Sequence, residues 1–353
     1  MYPECWSSSV LLDPRPDDLQ SIDGRSEIPA KLKAPKVTVV ITTFNRPKML
    51  SEAISSVLSQ TLQEIEIVVV DDVSTEDNAS VIDSFKDDRI TLIHNEKHLG
   101  GAEGRNVGAT AGQNSEWIAF LDDDDLFLPD KLEKQVSLGD SLGDDYAVIY
   151  CGARSVDGDG NTLGIGVPDI RGDIRSGILE KGLRTFSSTH LFRRSAYDAM
   201  NGYATDLRAN NEHDIWMEMG RLGMKADFVA EPLAIAAQHR APRMTSDPML
   251  RIEATKAYLD KWESTYVDWM GEREGGKYRV KYATRVLGPL AATALATANI
   301  RDFILVMRAL GAYGGNPISQ LLALTIVFAR TFAYRFLPMG LLGGLRRIKR
   351  LVS

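Results

Sequence analysis

Short β-branched runs alternate with helical-period segments along the first part of the chain. Val37 to Ile41 reads as a buried strand, and Pro47 opens a helix carrying Ala53, Ile54, Val57 and Leu58 on one face. The next run, Ile65 to Val70, is a second strand ending at Asp71-Asp72. A helix around Ala79–Phe85, a strand Ile90–Ile93, a Gly-rich turn and a helix near Arg105–Ala111 follow. The strand Trp117–Leu121 then runs into four aspartates. Strands alternating with helices predict right-handed βαβ units and a parallel sheet covered on both faces, an α/β fold. Past Tyr150 the alternation loosens. Ser155 to Gly166 is rich in Gly and Asp and reads as turns, Asp214–Leu222 as a helix, and Ala226 to Ala237 as a strand. From Leu250 onward the pattern is helical. Three regions are expected: an N-terminal arm over 1–35, a catalytic domain over 36–245, and a helical, basic region over 246–353.

Charge changes that picture at the C-terminal end. Of 353 residues, 41 are basic and 48 acidic, for a net charge of −7, which argues against a chain-wide nucleic-acid footprint. From Phe303 to Ser353 there is no Asp or Glu, but Arg308, Arg330, Arg335, Arg346, Arg347, Lys349 and Arg350 give +7. The remaining 34 basic residues face all 48 acidic ones, leaving −14 on residues 1–302. The apolar stretches Val286–Ile300, Phe303–Leu310 and Ile318–Ala329 are too short or too broken for a membrane span. They suit a small helical bundle or a monotopic anchor meeting anionic lipid. No basic segment followed by an apolar run opens the sequence, so no signal peptide is expected. With only Cys5 and Cys151, a disulfide framework or cysteine-built zinc site is excluded, consistent with a reducing cytoplasm. The expected location is cytoplasmic, or peripheral on the cytoplasmic face of a membrane.

The strand ends carry the candidate chemistry. In open α/β sheets, ligands bind beyond the carboxyl ends of the strands. Here those ends are Thr42-Thr43-Phe44-Asn45-Arg46, Asp71-Asp72 and Asp122-Asp123-Asp124-Asp125. A single Asp there could simply cap a helix. Six carboxylates on one rim repel one another unless a cation sits among them. Hard oxygen ligands suit Mg²⁺ or Mn²⁺, and Mg²⁺ usually shares its shell with substrate phosphates. A dinucleotide GxGxxG signature and a P-loop are both absent.

These motifs, in this order, resemble glycosyltransferase family 2, the inverting nucleotide-sugar enzymes of the GT-A fold. The resemblance runs from about Val37 to His239. It rests on Val39-Val40-Ile41-Thr42-Thr43-Phe44-Asn45-Arg46-Pro47, on Val68-Val69-Val70-Asp71-Asp72-Val73-Ser74-Thr75 and on Gly104-Arg105-Asn106-Val107-Gly108. Phe120-Leu121-Asp122-Asp123-Asp124-Asp125, followed by Pro129-Asp130-Lys131-Leu132, is its strongest part. The resemblance implies that Thr42 and Asp72 hold the nucleotide base and ribose, flanked by Phe44, Asn45 and Asp71. Arg105 falls in the family's Arg-Asn-x-Gly stretch. Asp122 and Asp123 would face the ribose and the metal shell, and Asp124 would bind the metal. His239 falls where related enzymes place a residue near the pyrophosphate and is counted on the metal side. The base comes from Asn210-Asn211-Glu212-His213-Asp214-Ile215-Trp216. Aligning on Trp216 favours Glu212, and a shifted alignment makes it Asp214.

The resemblance implies a metal-dependent hexosyl transfer from a nucleotide-sugar, UDP-linked by default, to a hydroxyl on a glycan or lipid-linked acceptor. Two other readings stand beside it. A binding module that lost its base is one, since Glu replaces the usual Asp. A phosphatase of the haloacid-dehalogenase type also ends a strand in Asp-x-Asp. That motif belongs on the first strand, however, and wants Thr or Val where Leu126 stands.

Overall fold

The computed structural model describes residues 34–112, 114–183, 186–237 and 247–313. The first half alternates as the pattern predicts: β1 (Val37–Thr43), α1 (Pro47–Leu58), β2 (Ile65–Asp71), α2 (Asn78–Phe85), β3 (Ile90–His94), α3 (Gly101–Ala111) and β4 (Trp117–Asp122). Then come β5 (Asp125–Phe127), α4 (Lys131–Asp140), β6 (Tyr146–Val156), β7 (Thr162–Gly166), β8 (Gly172–Asp173) and α5 (Ile174–Lys181). A 3-10 turn at Ser187–Thr189 leads into β9 (His190–Arg193), α6 (Arg194–Ala199), α7 (Asn211–Arg221) and β10 (Lys225–Ala237). Four helices follow: α8 (Pro248–Lys261), α9 (Glu263–Met270), α10 (Glu272–Ala296) and α11 (Ile300–Ala312).

The strands form one sheet in the order β3-β2-β1-β4-β9-β6-β10-β5, with β7 on β6 and β8 on β10. β3, β2, β1 and β4 are mutually parallel. β9 pairs antiparallel with both β4 and β6 and joins this half to the rest. The chain builds outward from β1 to β3, then returns to place β4 on the other side of β1. That reversal opens a crevice at the carboxyl ends of β1 and β4.

Alternation along β1 explains why both faces are buried. Val37, Val39 and Ile41 meet α1 and α4 through Leu50, Ile54, Val57, Leu132 and Val136. Val40 turns to the other face, with Val70, Phe120 and Ala109 of α3. Each such side chain contributes roughly 1.5–3 kcal/mol when fully buried. The second face continues through α7 into α8–α10, with Trp216, Tyr258, Trp262, Tyr266 and Tyr282 in one cluster. Tyr258 stacks on Tyr282 at 4.7 Å between ring centroids. The described C-terminal helices therefore pack on the sheet domain as a bundle, and none is long and apolar enough to cross a membrane. Ile318–Ala329 and the basic C-terminal run lie outside the described residues, as does the N-terminal arm.

Ser155–Gly166 differs from the turn reading. β6 continues to Val156 and β7 returns beside it, so only the residues between them turn. Asp157 Oδ1 accepts from the amides of Asp159 and Asn161 to close that turn. β7 is a mostly exposed edge strand, so no apolar alternation marks it.

Candidate active site

Register brings the polar strand ends together. Thr43 pairs with Asp71 across β1 and β2, and Thr42 pairs with Asp122 across β1 and β4. Asn45 ties the first two ends: its Oδ1 accepts from the amides of Thr75 (2.7 Å) and Glu76 (3.2 Å), and its own amide donates to Ser74 Oγ. Asn45 has φ of +54°, a left-handed conformation that Asn tolerates better than most residues. Phe44 is exposed at the crevice edge, with its ring 5.3 Å from that of His98.

The motif glycines set the position of Arg105. A Cβ on Gly108 would lie 2.3 Å from Val40 Cγ1, and one on Gly104 would lie 3.1 Å from Thr42 Cγ2. Only glycine lets α3 approach the sheet this closely. The approach buries Arg105, whose Nη2 donates to Asp122 Oδ1 at 2.5 Å. Burial opposes the guanidinium charge, but Asp122, Tyr203 and Glu212 outweigh it and hold the group firmly protonated. The neighbouring Asn106 accepts from the Tyr197 hydroxyl and the Tyr203 amide and donates to the Tyr203 carbonyl, tying α3 to the segment after α6.

The four aspartates divide. Asp122, Asp124 and Asp125 each bring a carboxylate oxygen to a common point, all within 4.8 Å of one another. Asp123 turns aside, accepting from Thr43 Oγ1 (2.8 Å) and Arg46 Nη1 (2.9 Å). The same Arg46 nitrogen reaches Asp124 Oδ2 at 3.2 Å. Asp125 is buried and accepts from Ser188 Oγ at 2.6 Å, and that hydroxyl in turn accepts from the Asp122 amide. Burial first, then the charges of Asp122 and Asp124, push the Asp125 carboxyl well above the usual carboxylate range. A cation at this point would reverse that balance. The all-oxygen donor set fits Mg²⁺ or Mn²⁺.

Glu212 and Asp214 share the start of α7 but face different surroundings. Ser187 Oγ donates to Glu212 Oε1 at 3.1 Å, and the charge of Glu212 is felt at Arg105 and Tyr203. Asp214 is 3% exposed and turns to α8. Its Oδ1 accepts from Trp262 Nε1 at 2.8 Å and lies 2.8 Å from Lys261 Nζ. His213 also faces the bundle, with Nδ1 2.5 Å from the Tyr282 hydroxyl.

Comparison with known proteins follows the same outline. Residues 38–200 match the model of Glycosyl transferase family 2. The succinoglycan biosynthesis protein ExoO of Rhizobium meliloti (strain 1021) is 35% identical over 130 residues, 37% of each chain. EpsE of Bacillus subtilis (strain 168), a glycosyltransferase by name, is 30% identical over 206 residues, covering 56% of this chain and 72% of EpsE. The chain belongs to glycosyltransferase family 2. A further family relative is the GalNAc(5)-diNAcBac-PP-undecaprenol beta-1,3-glucosyltransferase of Campylobacter jejuni (strain ATCC 700819 / NCTC 11168). It is 34% identical over 118 residues, 33% of this chain and 37% of that enzyme. The chain thus spans 37% of the length of ExoO and of the Campylobacter enzyme. Among solved structures, S. aureus TarS 1–349 in complex with UDP-GlcNAc aligns with a TM-score of 0.60 at 16% identity, over 85% of this chain and 89% of that one. The mannosyltransferase PcManGT from Pyrobaculum calidifontis, in complex with GDP-Man and Mn2+, aligns at 0.53 and 18%, over 86% and 83%. These likenesses identify the GT-A fold.

Against the family 2 expectations, Thr42, Phe44, Asn45, Asp71, Arg105, Asp122, Asp123, Asp124 and Glu212 all gather around the crevice. Asp72 also lies there, but as an anchor. It accepts from the amides of Leu99 (2.7 Å) and Gly100 (2.9 Å) and from Asn95, pinning the loop before α3. Burial opposes its charge, but those bonds and His98 hold its carboxyl below the usual range. Asp214 is not brought to the crevice, and His239 lies outside the described residues. The sequence marks Asp125 and Arg46 only as members of the rim motifs, with no individual role, and marks Ser187 and Ser188 not at all.

Proposed function

We propose that this protein is an inverting, metal-dependent glycosyltransferase that moves a hexosyl group from a nucleotide-sugar to an acceptor hydroxyl. The observation carrying this reading is the pairing across one crevice of a three-aspartate cluster with Glu212, a partly buried carboxylate set apart from it. Thr42, Phe44, Asp71 and Asp123 line the side where a base and ribose would lie. Asp122, Asp124 and Asp125 would hold a Mg²⁺ or Mn²⁺ ion, which supplies charge neutralisation for the departing nucleoside diphosphate. Arg105 adds a fixed positive charge beside Asp122 and orders it. Glu212, held by Ser187, takes the proton from the acceptor hydroxyl as it attacks. Asp214 is assigned to anchoring α7 rather than to proton transfer. UDP-sugars are the first donors to test, with GDP-sugars second, since the solved relatives hold one of each.

The acceptor assigned is a glycan, lipid-linked as for the Campylobacter relative, reached from a cytoplasmic membrane face. At the end of α10 and on α11, Leu295, Ile300 and Ile304 are 44%, 54% and 45% exposed. Arg301 and Arg308 are exposed beside them. The acid-free, +7 sequence from Phe303 onward continues the same charge. Apolar side chains among arginines suit an anionic lipid surface.

Two experiments test the reading. Purified protein is screened against UDP- and GDP-sugars with Mn²⁺ or with excess chelator. Donor-dependent thermal stabilisation and nucleotide release with metal only are expected, whereas equal release in chelator refutes the metal role. Flotation with anionic liposomes should show binding that weakens with salt and with Ile304→Asp or deletion of the last ten residues. Absence of binding at low salt refutes the membrane surface.

A further inference from the structure

Arg46 stands out because it belongs to neither set of groups that the proposed chemistry needs, yet it is bonded to the cluster. It occupies the N-cap position of α1, next to Pro47, without a capping bond from its side chain. One of its nitrogens, Nη1, is shared between Asp123 (2.9 Å) and Asp124 (3.2 Å). Asp124 is in turn one of the three converging carboxylates. The two arginines at the rim differ in freedom. Arg105 is buried by α3 and stacks at 5.4 Å from the Tyr203 ring, so its charge is fixed. The Arg46 side chain is 39% exposed and grips Asp124 by the longer of its two bonds. A guanidinium offers five donors in a planar fork, matched to carboxylate and phosphate oxygens alike.

We propose that Arg46 is an exchangeable counterion: it neutralises Asp124 while no cation is bound and transfers to the donor's diphosphate when a divalent cation takes Asp124. This rests on the proposed function, because it assumes a diphosphate donor arriving with the ion. The exchange keeps Asp124 and Arg46 charge-paired at each stage. In the free protein, Arg46 balances Asp123 and Asp124. In the loaded protein the cation balances Asp124, Asp123 keeps its bond from Thr43, and the phosphate oxygens take the fork. No proton moves and no covalent bond changes. The same side chain thus opposes cation binding alone and favours cation binding together with nucleotide. That makes the pair of ligands cooperative: a cation without donor has to displace an arginine that then has no new partner.

The test is equilibrium binding, read without turnover. Mn²⁺ binding to wild type, Arg46→Gln and Arg46→Lys is measured by electron paramagnetic resonance of free Mn²⁺, first alone and then with UDP or GDP. Circular dichroism and thermal unfolding verify that each variant is folded. Arg46→Gln should bind Mn²⁺ alone several-fold more tightly than wild type and bind nucleotide in saturating Mn²⁺ at least about tenfold more weakly, the scale of one charge-assisted bond. Arg46→Lys should recover part of the nucleotide affinity, as a point charge without the fork. Opposite signs for the two ligands are the signature, because a structural role would weaken both. Unchanged or weaker Mn²⁺ binding in Arg46→Gln, or unchanged nucleotide binding, overturns the exchange. If wild type itself binds no Mn²⁺ even with nucleotide, it is the metal-dependent function that fails, and that result is read from wild type before any variant.

Discussion

Removing the two carboxylates in the first turn of α7, two residues apart and so on different faces, should produce two different deficits. Asp214→Ala deletes the acceptor of the Trp262 indole N–H at 2.8 Å and the partner of Lys261. A buried donor left without an acceptor costs about 1–3 kcal/mol. Lys261 retains solvent contact, and an ion pair with an exposed partner is worth only about 0–1 kcal/mol. Together the loss is roughly 1–4 kcal/mol, a large share of the ~5–15 kcal/mol typical of a folded domain. At about 2–4 °C per kcal/mol for a domain of a few hundred residues, Tm should fall by several degrees. Glu212→Gln is the mirror case. Its remaining oxygen can still accept from Ser187 and Asp122 still pairs Arg105, so the stability loss should be smaller than for Asp214→Ala. Turnover should fall by about 10²–10⁴ through loss of the proton acceptor. Urea unfolding and initial rates of nucleotide release, taken at a temperature where both variants are folded, read the two deficits separately. If Asp214→Ala loses turnover as deeply as Glu212→Gln under those conditions, the assignment of the base to Glu212 is refuted.

The packing of α3 and His213 on α7 each give a further expectation. Gly108→Ala places a methyl 2.3 Å from Val40 Cγ1 and 3.1 Å from Val70 Cγ2; overpacking of about 1–3 kcal/mol should exceed the ~1 kcal/mol gained by Ala over Gly in a helix, and a stabilised variant would contradict the close approach. Burial, with Arg285 and Arg251, lowers His213 from 6.5 to about 3, so the unfolded chain takes up a proton below pH 6.5 that the folded protein refuses. Stability from this group is therefore lost as pH falls from 6.5 toward 3, at up to about 1.4 kcal/mol per pH unit. Asp123, Asp125 and Asp214 are shifted upward by burial and act with the opposite sign. The informative quantity is thus the wild-type stability minus that of His213→Gln, which should fall between pH 7 and pH 5; a pH-independent difference would count against the shift.

Most of the parallel half of the sheet was legible because β1, β2 and β4 are buried on both faces. They appear as short, largely apolar runs, and a polar residue marks where each run leaves the core. That is why Thr42, Asp71 and Asp122 could be placed on one rim before any coordinates. β9 was not legible: His190-Leu191-Phe192-Arg193 is too short to show a period, and its strand character comes entirely from the neighbours it pairs with. Roles that depend on distant partners were hidden in the same way. In sequence Asp214 and Glu212 are separated only by the choice of alignment on Trp216. The arrival of Lys261 and Trp262, 47 and 48 residues on from Asp214, gives the physical reason for one being an anchor. Arg46 lay within a recognised motif, but its bond to Asp124, 78 positions away, is a property of the closed sheet.

Two neighbouring serines also couple the working ends of the crevice. Ser188 Oγ holds Asp125 and the Asp122 amide, and Ser187 Oγ holds Glu212. The aspartate cluster and Glu212 are therefore tied to adjacent residues, whose Cα atoms lie about 3.8 Å apart across one trans peptide. A shift of this short segment would therefore move the aspartate cluster and Glu212 together, so a substitution at either serine is expected to disturb both ends of the crevice at once.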